Sequence, residues 1–168
     1  MKNTVKSILF TLAVITSFNL NAQKLGHVNS QAIVQEMPDY ESARQELEGY
    51  KNDLTKELEM YQKLILEFAQ AYEDQKSGMS AESRQRKEAD LMERQQNYEK
   101  KAYEAETKLQ QKEQELLQAI MIKVNTAVQD LAKDEGYSYI FERTTLLHAG
   151  VDDISNKVRK KLGIVTSN

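Results

Sequence analysis

From Tyr40 to Tyr72 the side chains Tyr40, Ala43, Leu47, Tyr50, Leu54, Leu58, Tyr61, Ile65, Phe68 and Tyr72 recur at steps of 3, 4, 3, 4, 4, 3, 4, 3 and 4. That is a heptad seam with one stutter, and only a long helix laid against another helix satisfies it. Met37-Pro38-Asp39 marks its start, because proline suits a first turn and Asp39 or Glu41 favours the positive end of the helix dipole. Ser77-Gly78 marks its end, with Gly78 expected as a left-handed cap. Ser80 then caps a second helix that carries Glu82 in its first turn and meets no breaker until Gly136. The two helices would run roughly 57 Å and 80 Å at 1.5 Å per residue.

So short a connection makes an antiparallel hairpin. Reflection about the turn sets Leu47 beside Leu109, Leu54 beside Ala102, Leu58 beside Tyr98 and Ile65 beside Leu91. Apolar meets apolar along the whole length. Tyr40 falls near Leu116, so the second helix continues past its partner. In the overhang from Leu116 to Ala132, 11 of 17 residues are apolar and circle the helix, which predicts burial on more than one side.

The rest of the chain must cover that overhang. Lys24–Val28 reads as a short strand, followed by a helical turn over Gln31–Glu36. Tyr137–Glu142 alternates with period two, and Thr145–Ala149 is expected as another strand after a tight turn at Arg143-Thr144. Ser155 is the expected cap of a last helix, Asn156–Leu162, closed by Gly163. Three short strands and one helix form a small core with open edges, which pairing between copies would close. The predicted fold is α+β and mostly helical: a long antiparallel hairpin on a small β body completed by oligomerisation. Residues 23–38 and 116–168 form the body, and residues 39–115 form the hairpin.

The N-terminus reads as an export signal over residues 1–22. Lys2 and Lys6 precede an apolar run from Ser7 to Phe18, too short to span a membrane, and a cleavage point follows near Ala22/Gln23. Without Lys2 and Lys6, 21 basic residues face 26 acidic ones, a net charge of −5. An acidic chain disfavours nucleic acid and anionic membrane as partners. No later stretch is apolar enough for an integral span.

Chemistry is hard to find in this sequence. It has no cysteine, so a disulfide framework, a thiol nucleophile and a Cys metal site are excluded. It contains no GxxxxGK[ST], GxGxxG, HExxH or GxSxG motif, and no enzyme activity, cofactor or metal is expected. His27 and His148 both fall in predicted strands and read as hydrogen-bonded strand residues in preference to a metal pair or proton switch. Asp152-Asp153 reads as a loop and helix start. Charges such as Glu104 and Lys108 read as a solvated helix face.

The hairpin does carry an apolar imbalance. Tyr40–Lys76 holds 12 large apolar residues in 37 positions, whereas Ser80–Glu115 holds five in 36. The second helix cannot cover what the first presents. The surplus gathers between Met60 and Tyr72, where Leu64, Ile65 and Leu66 are consecutive and Phe68 and Tyr72 lie opposite Glu88 and Arg84. Exposed apolar surface rimmed by charge marks a binding surface, and its Tyr and Met content suits an unselective one. A seam between neighbouring hairpins would use the same residues.

The order of a strand, Gln31-Ala-Ile-Val-Gln-Glu-Met-Pro38, a helical hairpin, Gly136-Tyr-Ser-Tyr-Ile-Phe141 and Gly150-Val-Asp-Asp-Ile-Ser155 through Leu162 resembles the Skp/OmpH family of periplasmic chaperones. The resemblance covers essentially the whole chain after residue 22. It implies a homotrimer in which strands of three chains form a barrel-like body. Three hairpins would hang from it as tentacles around a cavity for unfolded outer-membrane proteins. It places body strands at Leu25–Val28, Tyr137–Phe141 and Thr145–Ala149, and the tentacle end at Tyr61–Tyr72 and Met79–Met92.

On that reading Met60, Tyr61, Leu64, Leu66, Phe68, Tyr72, Met79 and Met92 are the client-binding candidates. Leu25, Val28, Ile120, Val124, Leu131, Tyr139, Phe141 and Leu147 are the trimerisation candidates. The hairpin departs from the family in charge: Tyr40–Glu115 has 13 basic and 18 acidic residues, where well-known members are basic. Lipopolysaccharide binding is therefore not carried over. The expected function is an ATP-independent periplasmic holdase. A structural coiled-coil adaptor of the envelope with one folded partner is the alternative.

Overall fold

The structure, a computed structural model, describes residues 23–164. The expected signal segment and its cleavage point at Ala22 lie outside them.

Strand β1 (Leu25–Val28) leads into the short helix α1 (Ser30–Glu36). The Asn29 side chain caps α1 by accepting from the Ala32 amide at 3.0 Å. The hairpin follows, with α2 (Pro38–Gln75) and α3 (Ala81–Glu135) running 38 and 55 residues. Pro38 sits in the first turn of α2 with Asp39 and Glu41, and Ser80 caps α3 by accepting from the Ser83 amide at 3.2 Å. Gly136 ends α3 in the left-handed region at φ 72°, where a Cβ would clash with the backbone. Gly78 differs from expectation. It has no positive φ, because a 3-10 turn over Lys76–Gly78 and an extended Met79 make the connection.

Strand β2 (Tyr139–Glu142), a 3-10 turn (Arg143–Thr145), strand β3 (Asp152–Asp153) and helix α4 (Ser155–Lys161) complete the chain. The sheet order is β2-β1-β3 and both pairings are parallel. Leu25 lies beside Tyr139, and His27 lies between Phe141 and Asp153.

Thr145–Ala149 is not a strand, despite its sequence pattern. The Thr145 hydroxyl instead donates back to the Glu142 carbonyl at 2.8 Å and winds the chain into the turn. His148 therefore lies outside the sheet, and only His27 is a strand residue. Ser155 is also not the cap of the last helix. The Asp153 carboxylate accepts from the Ser155 amide at 2.9 Å, while the Ser155 hydroxyl accepts from the Asn29 amide at 3.0 Å. Asp152-Asp153, expected as a loop and helix start, instead forms strand β3 beside β1, and only the Asp153 carboxylate reaches the helix start.

The core lies where α3 overhangs α2. Its residues Ile120, Val124, Ala127 and Leu131, spaced 4, 3 and 4, pack with Val28, Ile33, Val34, Met37, Tyr137, Ile154 and Val158. Gly26 lacks a side chain for a packing reason: a Cβ there would lie 3.1 Å from the Tyr137 ring and 3.3 Å from Ile154. The overhang is not buried all round within the protomer, since Ile122 is 58% exposed on its far side. One helix face is as much as β1, α1 and α4 can cover.

Candidate functional site

The hairpin presents its apolar surface because two helices alone cannot enclose a seam. Leu47, Leu54, Leu58, Ile65, Leu91, Tyr98 and Leu109 all remain half-buried. The antiparallel register follows the reflection read from the sequence: Leu47 and Leu109 line one concavity together, and Leu54 and Ala102 line the next. Lys112 pairs with Glu46 at 2.7 Å, and Lys123 pairs with Asp39 nearer the body.

Toward the tip, polar and cationic groups replace apolar partners. The Tyr72 hydroxyl donates to the Glu88 carboxylate, with the Lys76 ammonium 5.2 Å from the ring centre. That hydrogen bond, with burial and the neighbouring negative charge, pushes the Tyr72 hydroxyl up to about 12. The Phe68 ring lies between Lys87 at 4.7 Å and Arg94 at 4.5 Å. Cation–π contact stabilises an aromatic ring flanked by cationic side chains.

These contacts sort the binding candidates. Met60, Tyr61, Leu64, Leu66 and Met92 are exposed, Leu66 by 63%. Phe68 and Met79 are half-buried. Tyr72 departs from expectation, being only 5% exposed in the tip of its own hairpin. Tyr103, at 72%, is an exposed aromatic that the list of candidates missed. It lies off the seam of α3, and its place outside the i, i+3, i+4 pattern was the available signal. Leu66 is two residues on from Leu64, about 200° round the helix, so the exposed residues occupy two faces of the arm.

The body candidates separate in the same way. Tyr139 and Phe141 are exposed on β2, their rings 6.4 Å apart and nearly parallel, and Leu147 projects fully from the segment beyond. Leu25 is half-buried. Val28, Ile120, Val124 and Leu131 are buried in the protomer's own core, so their burial needs no second chain. His27 is buried, with Nε2 3.7 Å from the Asp153 carboxylate and Nδ1 without a hydrogen-bond partner among the described residues.

A long two-helix arm with an open seam, rooted in a three-stranded parallel sheet, defines a class of hairpin protein built to present surface and not to enclose a pocket. The chain belongs to the family described as outer membrane protein (OmpH-like), whose profile matches residues 24–162. It is 24% identical over 163 residues to the chaperone protein Skp of Yersinia enterocolitica, covering 96% of this chain and 99% of that one. It is 26% identical over 142 residues to the chaperone protein Skp of Pectobacterium atrosepticum, covering 84% and 86%. These relatives are named as chaperones, not as enzymes. The fold is similar to the crystal structure titled as an OmpH-like outer membrane chaperone from Caulobacter crescentus, with a TM-score of 0.72, 16% identity and coverage of 87% and 89%. Among the described residues no helix is long and apolar enough to cross a membrane.

Proposed function

We propose that the chain is an ATP-independent periplasmic holdase that shields unfolded outer-membrane proteins from aggregation. The observation that carries this reading is the exposure of Met60, Leu64, Leu66, Met92 and Tyr103 on both faces of one arm, in a chain of the OmpH-like family. Such residues grip apolar segments weakly and without defined register. Residues 39–115 act as the arm, residues 23–38 and 116–168 as the body, and residues 1–22 as a signal removed on export.

Three copies complete the body through Tyr139, Phe141 and Leu147, which one protomer leaves exposed. Three arms then add their weak contacts through effective concentration, giving tight holding with fast local exchange. Release follows when folding of the client into its membrane outcompetes those contacts. A rigid adaptor with one folded partner would present a single stripe, and two exposed faces argue against it.

The test dilutes an outer-membrane barrel protein from urea, with and without the chain beginning at Gln23, while light scattering is followed without nucleotide. Scattering falls near one trimer per client if the reading holds. Replacing Met60, Leu64, Leu66 and Met92 together by Ser raises scattering again while the thermal midpoint stays put. Unchanged scattering at excess chain overturns the reading.

A further inference from the structure

The two faces of the arm differ in charge as well as shape. On one face, adjoining concavities of about 360 Å³ and 230 Å³ share Lys51 and Leu109. Together they form a groove floored by Leu47, Leu54, Leu58 and Leu109, all half-buried. On the α3 side Glu106 and Glu113 line it, one heptad apart. Glu99 and then Met92 continue the same stripe toward the tip at the same interval. Glu48 lines the α2 side.

Among the described residues no basic group lies within ion-pair distance of Glu48, Glu99, Glu106 or Glu113, although seven pairs neutralise charges elsewhere along the two helices through neighbours on the same helix. Arg44, on the same rim, is held by Glu41 at 3.4 Å, which leaves Lys51 to oppose the row of carboxylates. On the opposite face a small depression is lined by Glu57, Glu104, Lys101 and Lys108, two charges of each sign, and Lys101 pairs with Glu104 at 3.5 Å. The groove sets Glu48, Glu106 and Glu113, none of them ion-paired among the described residues, beside its leucine floor, with Arg44 and Lys51 as its basic lining.

We propose that this groove receives basic segments of the unfolded client, in which Lys or Arg is interspersed with apolar residues. The proposal rests on the holdase reading and adds a charge preference to it. Apolar side chains, and the aliphatic stems of Lys or Arg, lie on the leucine floor, while the cationic heads reach the carboxylates. One heptad of α3 rises about 10.5 Å, roughly three residues of extended chain. Acidic segments are repelled along the same row. The heptad row makes the preference cumulative, since each exposed charge pair alone contributes little.

The test uses the chain from Gln23 and two fluorescent peptides of equal length and equal Leu and Tyr content, with Lys or Glu at every third position. Anisotropy at low salt is expected to show the Lys peptide bound about tenfold more tightly, a margin that narrows at high salt. Combined Glu99→Gln, Glu106→Gln and Glu113→Gln brings the two affinities together, whereas Lys101→Gln with Lys108→Gln leaves the margin intact. Equal binding of both peptides by the unaltered chain overturns the proposal, as does an unaffected margin in the triple variant. A changed assembly mass in that variant also overturns it, since a second copy of the chain would then occupy the groove. Aggregation assays on the same samples separate the two readings: a chain that suppresses barrel-protein scattering without distinguishing the peptides loses the groove preference and keeps the holdase function.

Discussion

Arg159 on α4 grips Glu36 on α1 through two hydrogen bonds of 2.6 and 2.8 Å, joining residues 123 apart in sequence. The paired geometry ties α4 to α1. The Arg159 guanidinium holds the Glu36 carboxyl below its ordinary value of 4.5. Because the folded pKa is depressed, this pair stabilises the protein at pH values above the ordinary carboxylate range. Its contribution is lost as pH falls through the folded pKa. Arg159→Met is expected to lower stability by about 1 kcal/mol at pH 7, an amount discounted for the half-exposed carboxylate. Urea unfolding at pH 7 and pH 3 checks this: the gap between parent and variant narrows at the lower pH.

The apolar residues of the chain fall into two energetic classes. Ile154 is fully buried, and Ile154→Ala leaves a cavity in a core of few side chains, at a cost of about 2–5 kcal/mol. Leu66→Ala on the arm changes stability by less than about 0.5 kcal/mol, since its side chain is already in water. Thermal unfolding of the two variants should rank them in that order, and comparable losses would place Leu66 in a seam between copies.

Gly26 offers a test of the body's packing. Gly26→Ala puts a methyl group 3.1 Å from the Tyr137 ring, and either the ring or β1 must shift. A destabilisation of about 1–3 kcal/mol is expected. The same change at Gly136 meets no neighbour and costs about 1 kcal/mol through its left-handed backbone alone. Denaturant midpoints for the two variants separate crowding from conformational strain.

Tyr72 and Glu88 pin the tip of the arm. The hydroxyl of Tyr72 is raised to about 12, so the hydrogen bond favours its neutral form. A raised folded pKa means that this contribution is present below the unfolded value near 10 and is lost as pH climbs from about 10 to 12. Tyrosinate absorbance should show one residue ionising after the rest, and Tyr72→Phe should remove that last step. Hydrogen exchange near the turn should quicken in the same variant.

The hairpin was legible in the chain because its information is local and repeated. Steps of three and four from Tyr40 to Tyr72 require a helical seam, Pro38 and Ser80 mark the helix starts, and Gly136 supplies the left-handed exit. Reflection then pairs Leu47 with Leu109 without any coordinates. Even the apolar surplus on α2 follows from counting. Other features depended on competition between distant segments. Thr145–Ala149 is expected as a strand, yet the Thr145 hydroxyl donates to the Glu142 carbonyl and the start of the segment winds into a 3-10 turn. Ser155 does not cap the last helix, since its hydroxyl accepts from the Asn29 amide of a segment 126 residues away and Ile154 takes the cap position. Tyr72 looked like surface because the residues opposite it are charged, but its hydroxyl donates to Glu88 and the Lys76 ammonium lies 5.2 Å from its ring centre.

The sequence by itself determined the long antiparallel arm, its charge and its excess of apolar side chains, because helical periodicity reads residues only three or four apart. The tertiary structure alone decided the parallel order β2-β1-β3. It also decided which charges stay uncompensated beside the groove. The sheet joins residues more than a hundred positions apart, and the groove joins the two helices across dozens of positions, beyond the reach of a local pattern.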